Sequence, residues 1–580
     1  MSTGPGREGA PALLSRGRAP ARSKDTQNTG ERSSTLSTQP RVEEAVSAGL
    51  SVRVRGAAAG PAAEAVAALA ADGVPSALAA KDSTLWGPAA QEEAAVRLGW
   101  LDLPQSSREL LPRLAEHAHE LRTAGVDRVV LAGMGGSSLA PEVIAATRGA
   151  ELTTLDTTDP AQVRAALEDR LHRTVAVVSS KSGGTVETDS HRRALEKAFT
   201  DAGIDPAERI VVVTDPGSPL AALAAEKGYT TYLADPDVGG RYSALSAFGL
   251  VPSALAGVDV EALLDEAQAL VPALKNDTGN PALLLGAAMG AAGRDKLVLA
   301  GSTPVGLGDW IEQLVAESTG KQGTGLLPVV AEGANAPGFA EAPDTLPTSF
   351  SEAGPAPAEG ALVQVTGPLG AQFLAWEYAT AIAGRLLGID PFDQPNVQES
   401  KDNTKALLDG AGERPLPAGE PLFTEGAVQV HASQALPNGA RDLEGMLRTL
   451  LEAVPEDGYL AVMAYLDRIA DAPAAGLRAE LADASGRATT FGWGPRFLHS
   501  TGQYHKGGPA TGAFLQITGE SEQDLDIPGR PYSFARLQFA QALGDFGALD
   551  TRGRPAVRLH LTDRAAGLAQ IRRALARVRG

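Results

Sequence analysis

The chain has 580 residues, no cysteine and a formal net charge of -19 at pH 7. That length exceeds one ordinary core, so two domains or more are expected, and the missing cysteines exclude disulfides and thiolate metal sites. The acidic balance argues against a general nucleic-acid binder, and no apolar run approaches the ~20 residues of a membrane span.

In chain order, residues 1–45 come first as an expected disordered tail. They are rich in Gly, Pro, Ser, Thr and Arg, with seven Lys/Arg against three acids up to Arg41. Such a stretch buries too little apolar surface to order itself and has no signal-peptide core. Residues 46–125 read as a helical N-terminal segment, Ala- and Leu-rich, in which "ELLPRLAEHAHELRTAG" ends on the C-cap glycine Gly125.

A βα alternation follows over 126–290. "DRVVLAGMGGSSLAPEVIAATRG" reads as strand, glycine loop and helix. "ELTTLDT", "TVAVVSS", "RIVVVTD" and "TTYLAD" read as further strands. The pattern restarts over 291–580 with "KLVLAGS", the helix "GDWIEQLVAES", the strand "ALVQVTG" and the helix "LGAQFLAWEYATAIAGRLLG". "GYLAVMAYL" and "GAFLQITG" read as later strands, and "AAGLAQIRRALARV" as a closing helix. The fold class expected is α/β: two doubly wound parallel-sheet domains of flavodoxin-like type, with helical N-terminal and C-terminal extensions.

In such sheets ligands bind beyond the carboxyl ends of the strands. Two loops have that place. "GMGGSS" offers glycine amides at the start of a helix, and "SSKSGGT" adds the hydroxyls of Ser180, Ser182 and Thr185 to the amides of Gly183 and Gly184. Alone, each also reads as a tight turn; together they point to a phosphate nest. A dinucleotide site is the rival reading, but "GMGGSS" lacks the third spaced glycine and no acidic residue stands in the ribose position. Further along, Arg241 follows two glycines, Gln313 and Glu317 share a helix face, Lys401 opens a helix, and His499 and His505 flank a glycine. Taken singly, a surface arginine or a solvated glutamate is the commoner explanation. Nothing clusters with the two histidines to suggest a metal, and none is expected.

Five motifs, "GMGGSS", "SSKSGGTVET", "GGRYSALSAFG", "EQLVAESTGK" and "IDPFDQPNVQESK", occur in one order. On them the chain resembles the glucose-6-phosphate isomerase family over roughly residues 95–510, and its first two loops resemble the SIS domain of phosphosugar proteins. The resemblance implies that Gly136, Ser137, Ser180, Lys181 (through its backbone), Ser182 and Thr185 hold the sugar's phosphate. Gln313 resembles a substrate-binding glutamine, Glu317 the base that carries a proton between C2 and C1, and Arg241 the cation beside the enediolate. Lys401 and a histidine resemble the ring-opening pair.

In the family that histidine lies between the glutamate and the lysine and enters from the partner subunit. This chain has none between Glu317 and Lys401. "LHSTGQ" resembles its setting, so His499 takes the role, with His505 as the alternative. The implied activity is reversible interconversion of glucose 6-phosphate and fructose 6-phosphate through an enediol, as in glycolysis and gluconeogenesis. It needs no cofactor and no metal, and the resemblance implies a homodimer; a cytoplasmic setting fits the lack of cysteine, and charge and hydropathy argue against nucleic-acid and membrane partners. Two alternatives stay open: a non-catalytic phosphosugar-binding SIS regulator, and an isomerase that also takes mannose 6-phosphate. Some chains of this type are fused to a transaldolase; the 125 residues ahead of the first sheet are too few for that barrel, so no such activity is expected.

Overall fold

The computed structural model describes residues 42–350, 360–396, 398–412, 414–437 and 439–579. Residues 1–41 of the expected tail lie outside the described residues, and the last four of that span, 42–45, are strand.

The described chain opens on a hairpin, β1 (Val42–Ser47) and β2 (Leu50–Arg55), where a helical segment was expected from residue 46. "LSVRVR" alternates buried and open positions, the period-2 pattern of a strand, and this local signal outweighs the Ala-rich helices that follow. The expected helix near 120 is present as Leu111–Thr123.

The first sheet contains β3 (Arg128–Gly133), β4 (Thr153–Leu155), β5 (Thr174–Ser179), β6 (Ile210–Thr214) and β7 (Thr230–Leu233). All pairs are parallel, in the order β4-β3-β5-β6-β7. β3 and β5 are buried along their whole length, which explains why they read as continuous Val-rich runs.

The second sheet is built from β8 (Lys296–Ala300), β9 (Leu327–Val330), β10 (Thr345–Ser349) and β11 (Leu362–Thr366). The N-terminal hairpin completes it in the order β1-β2-β11-β10-β8-β9, with β2 antiparallel to β11.

Beyond these two doubly wound sheets, the C-terminal extension has a sheet of its own. Its strands are β12 (Phe423–Glu425), β13 (Val428–Ala432), β14 (Tyr459–Tyr465), β15 (Ala488–Trp493), β16 (Gly512–Gly519) and β17 (Ala556–Leu561), ordered β12-β13-β17-β16-β14-β15. β14 to β17 are parallel, and β12 and β13 form an antiparallel edge. Their winding repeats that of the other two sheets: in each, the first parallel strand lies between the second and the third. In such a winding the switch point is where a crevice opens.

Arginines tie the third sheet to the first two, Arg496 also reaching Asp309 in the helix after β8 at 3.3 Å. Arg496 Nη1 lies 2.6 Å from Glu142 Oε2 and 2.6 Å from Asp156 Oδ2, and Arg468 joins Glu142 at 2.9 Å. Lys506 and Asp545 form an ion pair at 2.6 Å, closed off from water on both sides.

Candidate active site

The site forms where loops from all three sheets meet. β3 runs into the turn Gly135–Ser137 and then the helix Leu139–Arg148. Gly135 has φ +55, and a Cβ there would sit 2.6 Å from Gln313 Nε2 and 3.0 Å from the His499 carbonyl oxygen. A Cβ on Gly136 would sit 1.9 Å from the Gly240 carbonyl oxygen. So this loop is glycine-rich partly because the Arg241 loop presses against its backbone, a packing reason that stands beside any anion-binding one.

β5 leads into the second loop and the helix Val186–Asp201, whose N-cap Thr185 makes no capping bond with its side chain. That hydroxyl instead meets Ser180 Oγ at 3.1 Å, and Ser180 Oγ accepts from the Gly183 amide at 3.2 Å. Ser182 Oγ accepts from the Gly184 amide. The loop is thus organised by its own hydroxyls, leaving amides at a 16-residue helix N-terminus for an anion. Lys181 turns its ammonium away to Asp215, which leaves its backbone in the loop.

Glu317 lies near the end of the buried helix Leu307–Thr319. Its Oε2 is 3.6 Å from Arg241 Nη1 and 3.4 Å from Gln313 Nε2, and Gln313 also donates to the His499 carbonyl at 2.9 Å. His499 follows the carboxyl end of β15, in the turn Arg496–His499, and its Nε2 is 3.1 Å from Glu187 Oε1. Lys401, exposed in the helix Gln398–Ala411, is near enough for its charge to act on both Glu187 and Glu317. Glu317, Arg241, Gln313, His499 and Lys401 therefore come together, all from one chain. His505 does not join them: it is buried among Tyr459, Phe497 and Phe514 with Nδ1 on Tyr459 Oη at 3.0 Å.

Two carboxyls here are pushed in opposite directions. Burial raises Glu317 above the usual carboxylate range, against the pull of Arg241, His499 and Lys401. Burial would raise Glu187 too, but the charge and hydrogen bond of His499, with Lys401, outweigh it and hold this carboxyl down at about 2. Groups separated in this way suit one to exchange protons and the other to stay ionised as an anchor.

Motif reading passes over Glu187 and Gln541, which the structure brings to the candidate site beside His499. Gln541 donates to Glu187 Oε1 at 2.7 Å and accepts from Thr158 at 2.8 Å. Glu187 stands inside the quoted loop motif, but its partner lies 312 residues away.

The motifs also hold one another. Arg241 donates to Ser318 Oγ at 2.8 Å, to the carbonyls of Pro391 and Asp393, and to Gln394. Lys321 donates to the carbonyls of Asp390 and Asp393 at 2.6 Å. Gln503 donates to Gly320 O and Asn396 Oδ1. The "GRY", "ESTGK", "DPFDQPN" and "STGQ" segments are thus one hydrogen-bonded unit.

Doubly wound sheets with hydroxyl-lined loops at their switch points define the SIS-domain class. The sequence model of the family described as phosphoglucose isomerase matches residues 116–278. A glucose-6-phosphate isomerase of Rubrobacter xylanophilus is 30% identical over 392 residues, 54% of this chain and 90% of that one. The probable glucose-6-phosphate isomerase of Haloarcula marismortui is 38% identical over 225 residues, 36% of this chain and 51% of that one. Among solved structures, a hypothetical protein from Thermus thermophilus superposes with TM-score 0.54 at 26% identity, over 62% of this chain and 99% of that one. The chain belongs to the phosphoglucose isomerase family. It spans about half the length of several curated relatives that it matches.

Proposed function

We propose that this chain interconverts glucose 6-phosphate and fructose 6-phosphate through an enediol. The observation that carries the reading is the buried Glu317 carboxyl, raised toward the working pH, between Arg241 and Gln313 and in reach of the His499 charge.

The phosphate sits on the amides and hydroxyls of the 180–185 loop, with Gly136 and Ser137 alongside. His499, oriented by the ionised Glu187, and Lys401 move the proton that opens the ring. Glu317 then takes the C2 proton and returns it to C1, and the positive charge of Arg241 favours the enediolate. The guanidinium's contacts are already made within the protein, so it acts through its field. Family membership supports the substrate class. A cytoplasmic homodimer stays part of the proposal, although the histidine expected from a partner subunit is supplied here within the chain.

The test is turnover of fructose 6-phosphate to glucose 6-phosphate, coupled to an NADP-dependent dehydrogenase with EDTA present. Glu317→Gln is expected to lower kcat by about 10³-fold or more, and His499→Ala by less. A wild-type chain that binds the sugar phosphate without converting it would overturn the reading in favour of a phosphosugar-binding regulator.

A further inference from the structure

The third sheet carries a cavity that the isomerase site does not use. It lies beyond the carboxyl ends of β14 and β16, under the first turns of the helix Phe534–Thr551, with Pro415, Leu416, Ala418 and Gly419 as another wall. Its volume is about 410 Å³, within the range of small-molecule sites. Where a buried sheet face is ordinarily apolar, this one presents Gln429 and His431 from β13, Thr518 from β16, and Arg558 and His560 from β17. The alternate residues Val557, Leu559 and Leu561 point to the other face and form core.

Arg558 is the decisive residue. It is 1% exposed, and Nη2 donates to the Ala418 carbonyl at 2.6 Å, but Nε and Nη1 have no partner. Among the described residues no carboxylate pairs with it; the rings of Phe539 and Phe546 lie 5.7 and 5.9 Å away. Gln538, 4% exposed, lines the same cavity with an unpartnered amide nitrogen. Glu520, at the mouth, is taken up by His560, which also meets Thr518 Oγ1 at 2.9 Å. Burial, with the neighbouring Arg558 and His560, holds His431 down at about 4, so it faces the cavity as a neutral group.

A buried cation without a counter-charge is strongly unfavourable, and two unpartnered donors beside a cavity await an acceptor. We propose that this pocket binds a small metabolite through an oxyanion group, a phosphate monoester or a carboxylate, received by the free N–H groups of Arg558 and the amide of Gln538. This holds whether or not the isomerase reading does.

The test is imidazole NMR of the histidine-labelled full chain, with His431→Asn and His560→Asn variants assigning the two signals. One arm titrates inorganic phosphate and the other malonate. A saturable shift of the His431 and His560 signals is expected in at least one arm. Response to phosphate alone identifies a phosphate ligand, to malonate alone a carboxylate, and to both a general oxyanion site. Arg558→Gln is expected to abolish the shift while kcat/KM for fructose 6-phosphate stays at the wild-type value. Should that variant not fold, Arg558→Lys is expected to bind about tenfold more weakly, because a point charge replaces the guanidinium fork. The proposal is overturned if neither probe moves these signals at tens of millimolar, or if the shift survives Arg558→Gln unchanged.

Discussion

Arg241 and Arg558 are both almost fully buried, at 3% and 1% exposure, yet they are held in opposite ways. Each nitrogen of the Arg241 guanidinium has a protein partner, and Glu317 lies 3.6 Å away. Arg558 rests on one carbonyl and two aromatic rings. The first cation is built into its surroundings before any ligand arrives; the second is left with donors unspent. Burial of a charge therefore does not tell its purpose: the inventory of its partners does.

Four substitutions press on this contrast, in order of falling effect. Arg241→Met should lower turnover by about 10²–10³-fold in the coupled assay. A rate near wild type would mean that the charge only clamps the 390–394 segment. Arg496→Met should destabilise the chain by about 3–5 kcal/mol in denaturant unfolding, because Glu142 and Asp156 lose their shared partner.

Glu312 gives the third. Burial, reinforced by Asp309, raises it to about 8, against the hydrogen bond it accepts from Ser500. The folded chain keeps this proton while the unfolded chain releases it above about pH 4.5. Wild-type stability should therefore fall as pH rises from there to about 8, and Glu312→Gln should remove a few kcal/mol of that decline. Thermal melts at pH 5.5 and 8.5 would check this; parallel curves for the two proteins would refute it. Smallest of all, Arg558→Met should unfold within about 1 kcal/mol of wild type, or above it, since an uncompensated buried charge leaves with its side chain.

Much of the site was legible because its chemistry sits in contiguous motifs. The 128–233 strands stood where short Val-rich runs placed them, and Glu317, Gln313 and Arg241 lay in segments whose residue types already suggested an anion and a base. Glu187 is not legible there for a physical reason: its partners are His499 and Gln541, and no local pattern announces a partner more than 300 residues away. That His499 stands beside Glu187 while His505 lies among aromatic rings is a matter of burial, which spacing does not reveal. The third sheet was seen only in part. "GYLAVMAYL" and "GAFLQITG" are apolar enough to read as central strands, whereas "AVRLHL" alternates large polar and apolar groups because one of its faces lines the cavity.

The hairpin of β1 and β2 has a consequence for synthesis. Its sheet neighbour is β11, with Arg55 opposite Leu362, so the ribosome must add 362 − 55 = 307 residues before that edge is covered. At ~5–20 residues per second the nascent hairpin waits roughly 15–60 s. During that interval an unpaired strand edge invites association with other chains. Glu44 and Arg53 form an exposed cross-strand pair on the hairpin at 2.7 Å, next to the exposed Val42 and Val46. Such charges guard a nascent edge, and their removal would be felt first in the yield of soluble chain during translation, before any change in the finished protein.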